Sequence, residues 1–178
     1  MESGDFNGDG VLDLVVVGRE FSGRNGIAAM MFGNGRGEFG PPVPINSGLA
    51  GDNPLAVELR DFNHDGKADL ALLNTGKQNV VIMLGNGRGE FTPSATFNTA
   101  FMAKALASAD FNNDGNLDLV ANIPSVGKDL ILVKRAEFIA QFEINVAFRK
   151  SGFCNAGRFF RDWSQIDRFE RQWSLLEQ

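Results

Sequence analysis

The chain has 178 residues, 43% hydrophobic and 22% charged, which suits one domain of ordinary size with a packed core. Its formal charge of −5 gives no basic footprint for nucleic acid, and no apolar run approaches the ~20 residues that cross a bilayer. One cysteine, Cys154, excludes an intrachain disulfide, and one histidine with no tyrosine leaves little material for a His-centred catalytic site.

The composition changes near residue 135. Residues 1–135 hold 11 Lys and Arg against 16 Asp and Glu, with all 6 prolines and 19 of the 21 glycines. Residues 136–178 are charge-balanced, 6 against 6, and hold both tryptophans and 7 of the 16 phenylalanines. We therefore divide the chain into a repeat region, 1–135, and a divergent aromatic-rich tail, 136–178. The start, Met1-Glu2-Ser3-Gly4, lacks the basic and apolar parts of a signal peptide.

In chain order, the first feature is Asp5-Phe6-Asn7-Gly8-Asp9-Gly10-Val11-Leu12-Asp13. The pattern D-F-N-x-D-G-x-x-D returns at Asp61–Asp69 and at Asp110–Asp118, at intervals of 56 and 49 residues. A second motif, Gly33-Asn34-Gly35-Arg36-Gly37-Glu38-Phe39, recurs unchanged at Gly85–Phe91. Two motifs in fixed order at a period near 50 define a repeat. Around the second acidic loop, Leu55, Val57 and Leu59 alternate with Ala56, Glu58 and Arg60; Leu70–Leu73 and Val80–Leu84 are short apolar runs. Phe91–Phe97 supplies a fourth strand, placed at an edge by Pro93. Such runs between Gly, Asn and Asp turns are strands rather than helices. About four strands in ~50 residues make one propeller blade, of which a closed ring holds ~4–8.

The third unit runs through Leu117–Asn122 and Asp129–Val133. Arg135, Glu137 and Phe138 then match the earlier turn, with Leu132, Lys134 and Ala136 in place of its glycines, as a decayed copy or a coincidence. Farther on, Phe142, Ile144, Val146 and Phe148 alternate as in a strand. From Arg158 the apolar residues Phe159, Trp163, Ile166, Phe169, Trp173 and Leu176 step by three or four, which predicts an amphipathic helix over 158–177. Its balanced charge fits packing on the last blade better than a membrane surface. The abrupt change of composition also allows an altered reading frame for the tail. Cys154 has no His or acidic neighbour in sequence and reads as a bystander. The expected fold is all-β: a partial propeller of about two and a half four-stranded blades, with a short C-terminal helical tail.

The acidic loop and the G-N-G-x-G-x-F turn resemble the FG-GAP/VCBS-type repeat of integrin α-subunit propellers and of many secreted bacterial proteins, over roughly residues 4–133. The resemblance implies calcium-binding blades in an extracellular adhesion or recognition protein. The loop chemistry agrees. Calcium takes ~6–8 oxygen ligands, and a loop with oxygens at positions 1, 3 and 5 and Gly at position 6 can gather them. The candidate ligands are Asp5, Asn7, Asp9 and Asp13; Asp61, Asn63, Asp65 and Asp69; and Asp110, Asn112, Asp114 and Asp118. At position 7, Val11, Lys67 and Asn116 would offer backbone carbonyls. An EF-hand would need Glu at position 12, where Val16, Leu72 and Ala121 stand. The competing reading is that Asp, Asn and Gly only form turns. Against it, three carboxylates crowded in one loop repel unless a cation intervenes. Three bound calcium ions would take residues 1–135 from −5 to +1.

The first loop has only four residues before it, so its hairpin is expected to lack one arm and to bind calcium more weakly. Phe6, Phe62 and Phe111 read as packing residues, and His64 and Lys67 as solvated. The Gly-rich turns lack the Lys-Ser/Thr and the helix of a phosphate loop, so they read as tight turns, with Arg36 and Arg88 free to line a face. No catalytic residues are proposed. The expected role is a non-enzymatic binding module for a protein or glycan, outside the cell, without nucleic-acid partners or a transmembrane segment. The alternative is an accessory domain of a secreted polysaccharide- or lipid-acting enzyme. So few blades imply a fragment of a longer protein, closure by an oligomer, or an array capped by the tail.

Overall fold

The structure is a computed structural model. It describes residues 1–19, 26–45, 53–99, 103–110, 114–123, 128–134 and 139–145. The predicted helix 158–177, Cys154, Phe111 and Asn112 lie outside the described residues. Every described regular element is a strand, and no helix among the described residues is long and apolar enough to cross a membrane.

Among the described residues twelve strands form three four-stranded antiparallel sheets, each an up-and-down meander. The first sheet holds β1 (Glu2–Gly4), β2 (Asp13–Arg19), β3 (Gly26–Met31) and β4 (Val43–Pro44). The second holds β5 (Pro54–Arg60), β6 (Asp69–Asn74), β7 (Asn79–Gly85) and β8 (Phe91–Asn98). The third holds β9 (Ala105–Ala109), β10 (Asp118–Ile123), β11 (Lys128–Lys134) and β12 (Ile139–Asn145).

Two expectations change here. The count is three four-stranded sheets, not two and a half. The first hairpin does have its missing arm: Glu2, Ser3 and Gly4 pair with Val15, Leu14 and Asp13. Three residues suffice because the ladder needs only enough backbone to satisfy the start of β2. At the other end, β12 completes the third sheet beyond residue 135, pairing along β11 from Lys134↔Ile139 to Lys128↔Asn145.

The register also places the strands on either side of the third connection. Leu14 faces Met31, Leu70 faces Met83 and Leu119 faces Leu132. Gly33 and Gly85 follow two residues after those methionines, so their counterpart is Lys134, not Leu132. Lys134 then pairs with Ile139, whereas Gly85 pairs with Phe91. Four residues rather than five separate this pair; Arg135, Glu137 and Phe138 themselves lie outside the described residues.

The apolar runs are continuous where both faces of a strand are covered. Along β6, Leu70 and Leu72 face a core shared with Phe6, Val15 and Met30 of the first repeat. Ala71 and Leu73 face a second core with Leu106, Leu119 and Ala121 of the third. β7 divides likewise, Val81 and Met83 to one side, Val80 and Ile82 to the other. All six residues of β6 are buried. A strand buried on both faces cannot alternate apolar and polar, so its sequence reads as an unbroken run. At the sheet edge β8 carries Pro93, beside a bulge between Ile82 and Met83, as expected of a residue with no N–H to donate. Phe6 and Phe62 are buried between sheets, and the Phe6 ring meets Phe91 edge-on at 6.0 Å.

Candidate functional site

The three acidic loops share one backbone design. The position 1 carboxylate accepts from the position 6 glycine N–H: Gly10 to Asp5 at 2.9 Å, Gly66 to Asp61 at 2.8 Å, Gly115 to Asp110 at 2.9 Å. Its other oxygen accepts from the position 5 N–H at 3.2, 3.1 and 3.1 Å. The position 5 carboxylate accepts from the position 7 N–H at 2.8, 2.9 and 2.8 Å. The chain can close this tightly because Gly10, Gly66 and Gly115 take φ of 80°, 79° and 85°. These bonds favour the charged carboxylate. Asp5 is held below its ordinary pKa, chiefly by the Gly10 N–H, and Asp65 chiefly by the Lys67 N–H.

Position 9 behaves differently. Asp13, Asp69 and Asp118 are fully buried, while Asp5, Asp9, Asp65 and Asp114 are exposed. One oxygen of Asp13 accepts from Phe6 N–H at 3.1 Å, and the other from Gly33 N–H at 2.9 Å. Asp69 does the same with Phe62 N–H and Gly85 N–H, both at 2.9 Å. The position 9 aspartate therefore ties the start of the acidic loop to the first residue of the Gly-rich turn. Burial pushes the Asp69 carboxyl up, with the two N–H bonds opposing the shift. The clamp also accounts for the glycine it grips. A Cβ on Gly33 would strike the Leu12 carbonyl oxygen, and one on Gly85 the Ala68 carbonyl oxygen.

The Gly-rich turns are closed by their own side chains, as the turn reading requires. The Asn34 amide donates to Glu38 at 2.6 Å while its oxygen accepts from Arg36 N–H at 2.8 Å; Asn86, Glu90 and Arg88 repeat this. Arg36 and Arg88 are exposed. The second turn also docks on the first loop. Gly89 N–H donates to the Phe6 carbonyl at 2.7 Å, and a Cβ on Gly89 would meet the Phe32 ring at 2.6 Å. The first loop and the following sheet are thus joined by a backbone bond as well as by the Phe6–Phe91 ring contact.

The sequence anticipated the loop members but not this division of labour. The clue was the fixed pairing of the two motifs, which the clamp explains. Among the remaining candidates, Asp61 and Asp110 are half-buried, Asn63 is exposed, and Asn7, Val11 and Asn116 are half-buried. The Asn7 amide donates to Asp9 at 2.9 Å. His64 and Lys67 are exposed, as expected, and His64 takes a left-handed φ of 62° where the first loop has Gly8 at 79°. The Lys67 ammonium lies 3.3 Å from Asp65. Among the described residues no three His, Cys, Asp or Glu side chains are grouped to hold a metal as they stand.

These features define a class: an all-β repeat protein in whose first two units a buried aspartate ties an acidic loop to the Gly-rich turn of the same sheet. The FG-GAP-like repeat model matches the chain at residues 5–72 and again at 61–121, together more than half its length, and the chain belongs to that family. Comparison with curated proteins yields no match.

Proposed function

We propose that the chain is a set of propeller blades from a calcium-stabilised, non-catalytic recognition module that works outside the cell. The observation that carries this reading is the threefold loop whose position 1 and position 5 carboxylates are held by the same backbone bonds each time. The donor set is of the right chemistry: hard oxygens from carboxylate and amide side chains at spacings that suit calcium. Asp5, Asn7, Asp9, the Val11 carbonyl and Asp13 would hold one ion. Asp61, Asn63, Asp65, the Lys67 carbonyl and Asp69 would hold a second, and Asp110, Asn112, Asp114, the Asn116 carbonyl and Asp118 a third. Asp5 Oδ2, both oxygens of Asp61, and the oxygens of Asp13 and Asp69 each accept one N–H bond, which leaves each a lone pair. Binding would require Asp9 to release the Asn7 amide and Asp65 to release Lys67. When bound, the ion supplies charge neutralisation and a cross-link within the loop. The chain's own residues fix the first two loops to the Gly-rich turns of their sheets, and the surface loops would meet a protein or glycan.

The first loop is no longer expected to be the weak one, because β1 anchors Asp5 and no lysine competes there. Calorimetric titration with calcium, paired with melting in chelator, tests the reading. Calcium should raise the melting temperature as its concentration rises, since it binds the folded state alone. Identical melting with and without chelator, and no heat of binding, would sink it.

A further inference from the structure

We propose, resting on the calcium reading above, that Lys67 is the second loop's own cation, so that the three loops answer calcium in a graded order with the second last. The loops differ at position 7, where Val11 and Asn116 are neutral and Lys67 is charged. In each loop the position 5 carboxylate meets that residue. One oxygen of Asp9 accepts from Val11 N–H at 2.8 Å and the other from the Asn7 amide at 2.9 Å. One oxygen of Asp114 accepts from the Asn116 backbone at 2.8 Å and from its side-chain amide at 3.0 Å. Asp65 instead accepts from Lys67 N–H at 2.9 Å on one oxygen and from the Lys67 ammonium at 3.3 Å on the other.

The lysine stem is placed by packing. A Cβ on Gly87 would lie 3.4, 3.3 and 3.9 Å from Cγ, Cδ and Cε of Lys67. In the first sheet the equivalent Gly35 has the Val11 methyl groups 3.7 and 3.9 Å from the same point. The position 7 side chain thus lies over the Gly-rich turn in both sheets, and the lysine is long enough to return a charge from there to position 5. A stem already held by the turn loses less freedom when its ammonium pairs. Without calcium, the ammonium offsets the repulsion between Asp61 and Asp65. When calcium arrives, it must displace the ammonium from Asp65 and then share the loop with a like charge. Both groups are exposed, so the effect is modest and is screened by salt.

The test follows the amide signals of Gly10, Gly66 and Gly115 by NMR while calcium chloride is added to the full chain at low salt. Each of these N–H groups bonds the position 1 carboxylate of its own loop. Gly66 should reach its midpoint at the highest calcium concentration of the three. Lys67→Met keeps the stem and removes the charge; it should lower the Gly66 midpoint by roughly twofold to fivefold, the worth of an exposed ion pair, and leave the other two in place. In chelator the same variant should melt below the wild type at low salt and level with it in about 1 M salt. A Gly66 midpoint that Lys67→Met does not move, or that is not the highest, overturns the graded order. Equal melting of the two chains in chelator at low salt overturns the role of Lys67 as a cation. Silence at all three glycines would sink the calcium reading and the order with it, while the chelator melts still decide what Lys67 does.

Discussion

Within one loop of nine residues, aspartates of identical chemistry hold opposite positions. Asp61 and Asp65 lie at the rim, bonded to N–H groups of their own turn. Asp69 is buried and spans from Phe62 to Gly85. The rim carboxylates shape a local turn whose N–H groups water could satisfy. The buried one satisfies N–H groups that water cannot reach. The difference shows that an acidic repeat can be partly architecture and partly binding surface, and that residue type alone does not separate the two.

The sharpest way to break the comparison is to remove one carboxylate of each kind in chelator. Asp69→Ala strands two buried N–H donors, at about 1–3 kcal/mol each. Asp65→Ala, at the exposed rim, should cost within about 1 kcal/mol. Denaturant unfolding of both variants measures the gap, and equal losses would mean that the clamp is not structural. The next effect is on the glycine that the clamp grips. Gly85→Ala places a methyl group against the Ala68 carbonyl, and should destabilise by about 1–3 kcal/mol, as overpacking does. Gly10→Ala makes a useful control: nothing lies within 4 Å of its Cβ, so any loss there comes from φ alone.

A smaller effect of opposite sign is expected at His64. Left-handed backbone disfavours a side chain, so His64→Gly should stabilise the chain by up to about 1 kcal/mol, less the freedom that glycine adds to the unfolded state. An increase in melting temperature checks it.

The finest test is titration. Asp65 is lowered from 3.8 by N–H bonds, and Asp69 is raised from 3.8 by burial. The stability owed to Asp65 is present above its unfolded value and is lost as pH falls through the lowered folded value. Asp69 acts in reverse: its contribution is present below the unfolded value and is lost as pH rises through the raised one. Carboxyl carbon shifts followed by NMR in chelator should titrate on opposite sides of 3.8. Titration of both on one side would remove the electrostatic half of the comparison.

Much of the architecture was legible in the linear pattern. The repeat period, the strand runs, the edge strand marked by Pro93 and the buried Phe6 and Phe62 all follow from local rules of alternation, turn chemistry and periodicity. The first arm was not legible, because three residues, Glu2–Gly4, carry no periodicity of their own and form a strand only by pairing with β2. Whether the third match was a decayed copy or a coincidence was not legible for a related reason. Residue identities at Arg135, Glu137 and Phe138 match the motif, but backbone pairing sets the register and carries no side-chain signature. At the candidate site, the sequence named Asp61, Asp65 and Asp69 alike and could not sort rim from interior, since burial depends on the neighbouring sheet.

The amino-acid sequence by itself determined that this is an all-β repeat chain with acidic loops, because strand alternation and glycine-dependent turns are encoded within a few residues of each other. Only the tertiary structure decided that Asp13 and Asp69 clamp the Gly-rich turns and that β6 and β7 are covered on both faces. The physical reason is range. A buried carboxylate takes its role from N–H groups brought near by folding, Gly85 lying 16 residues beyond Asp69. No local pattern encodes which distant donor will arrive.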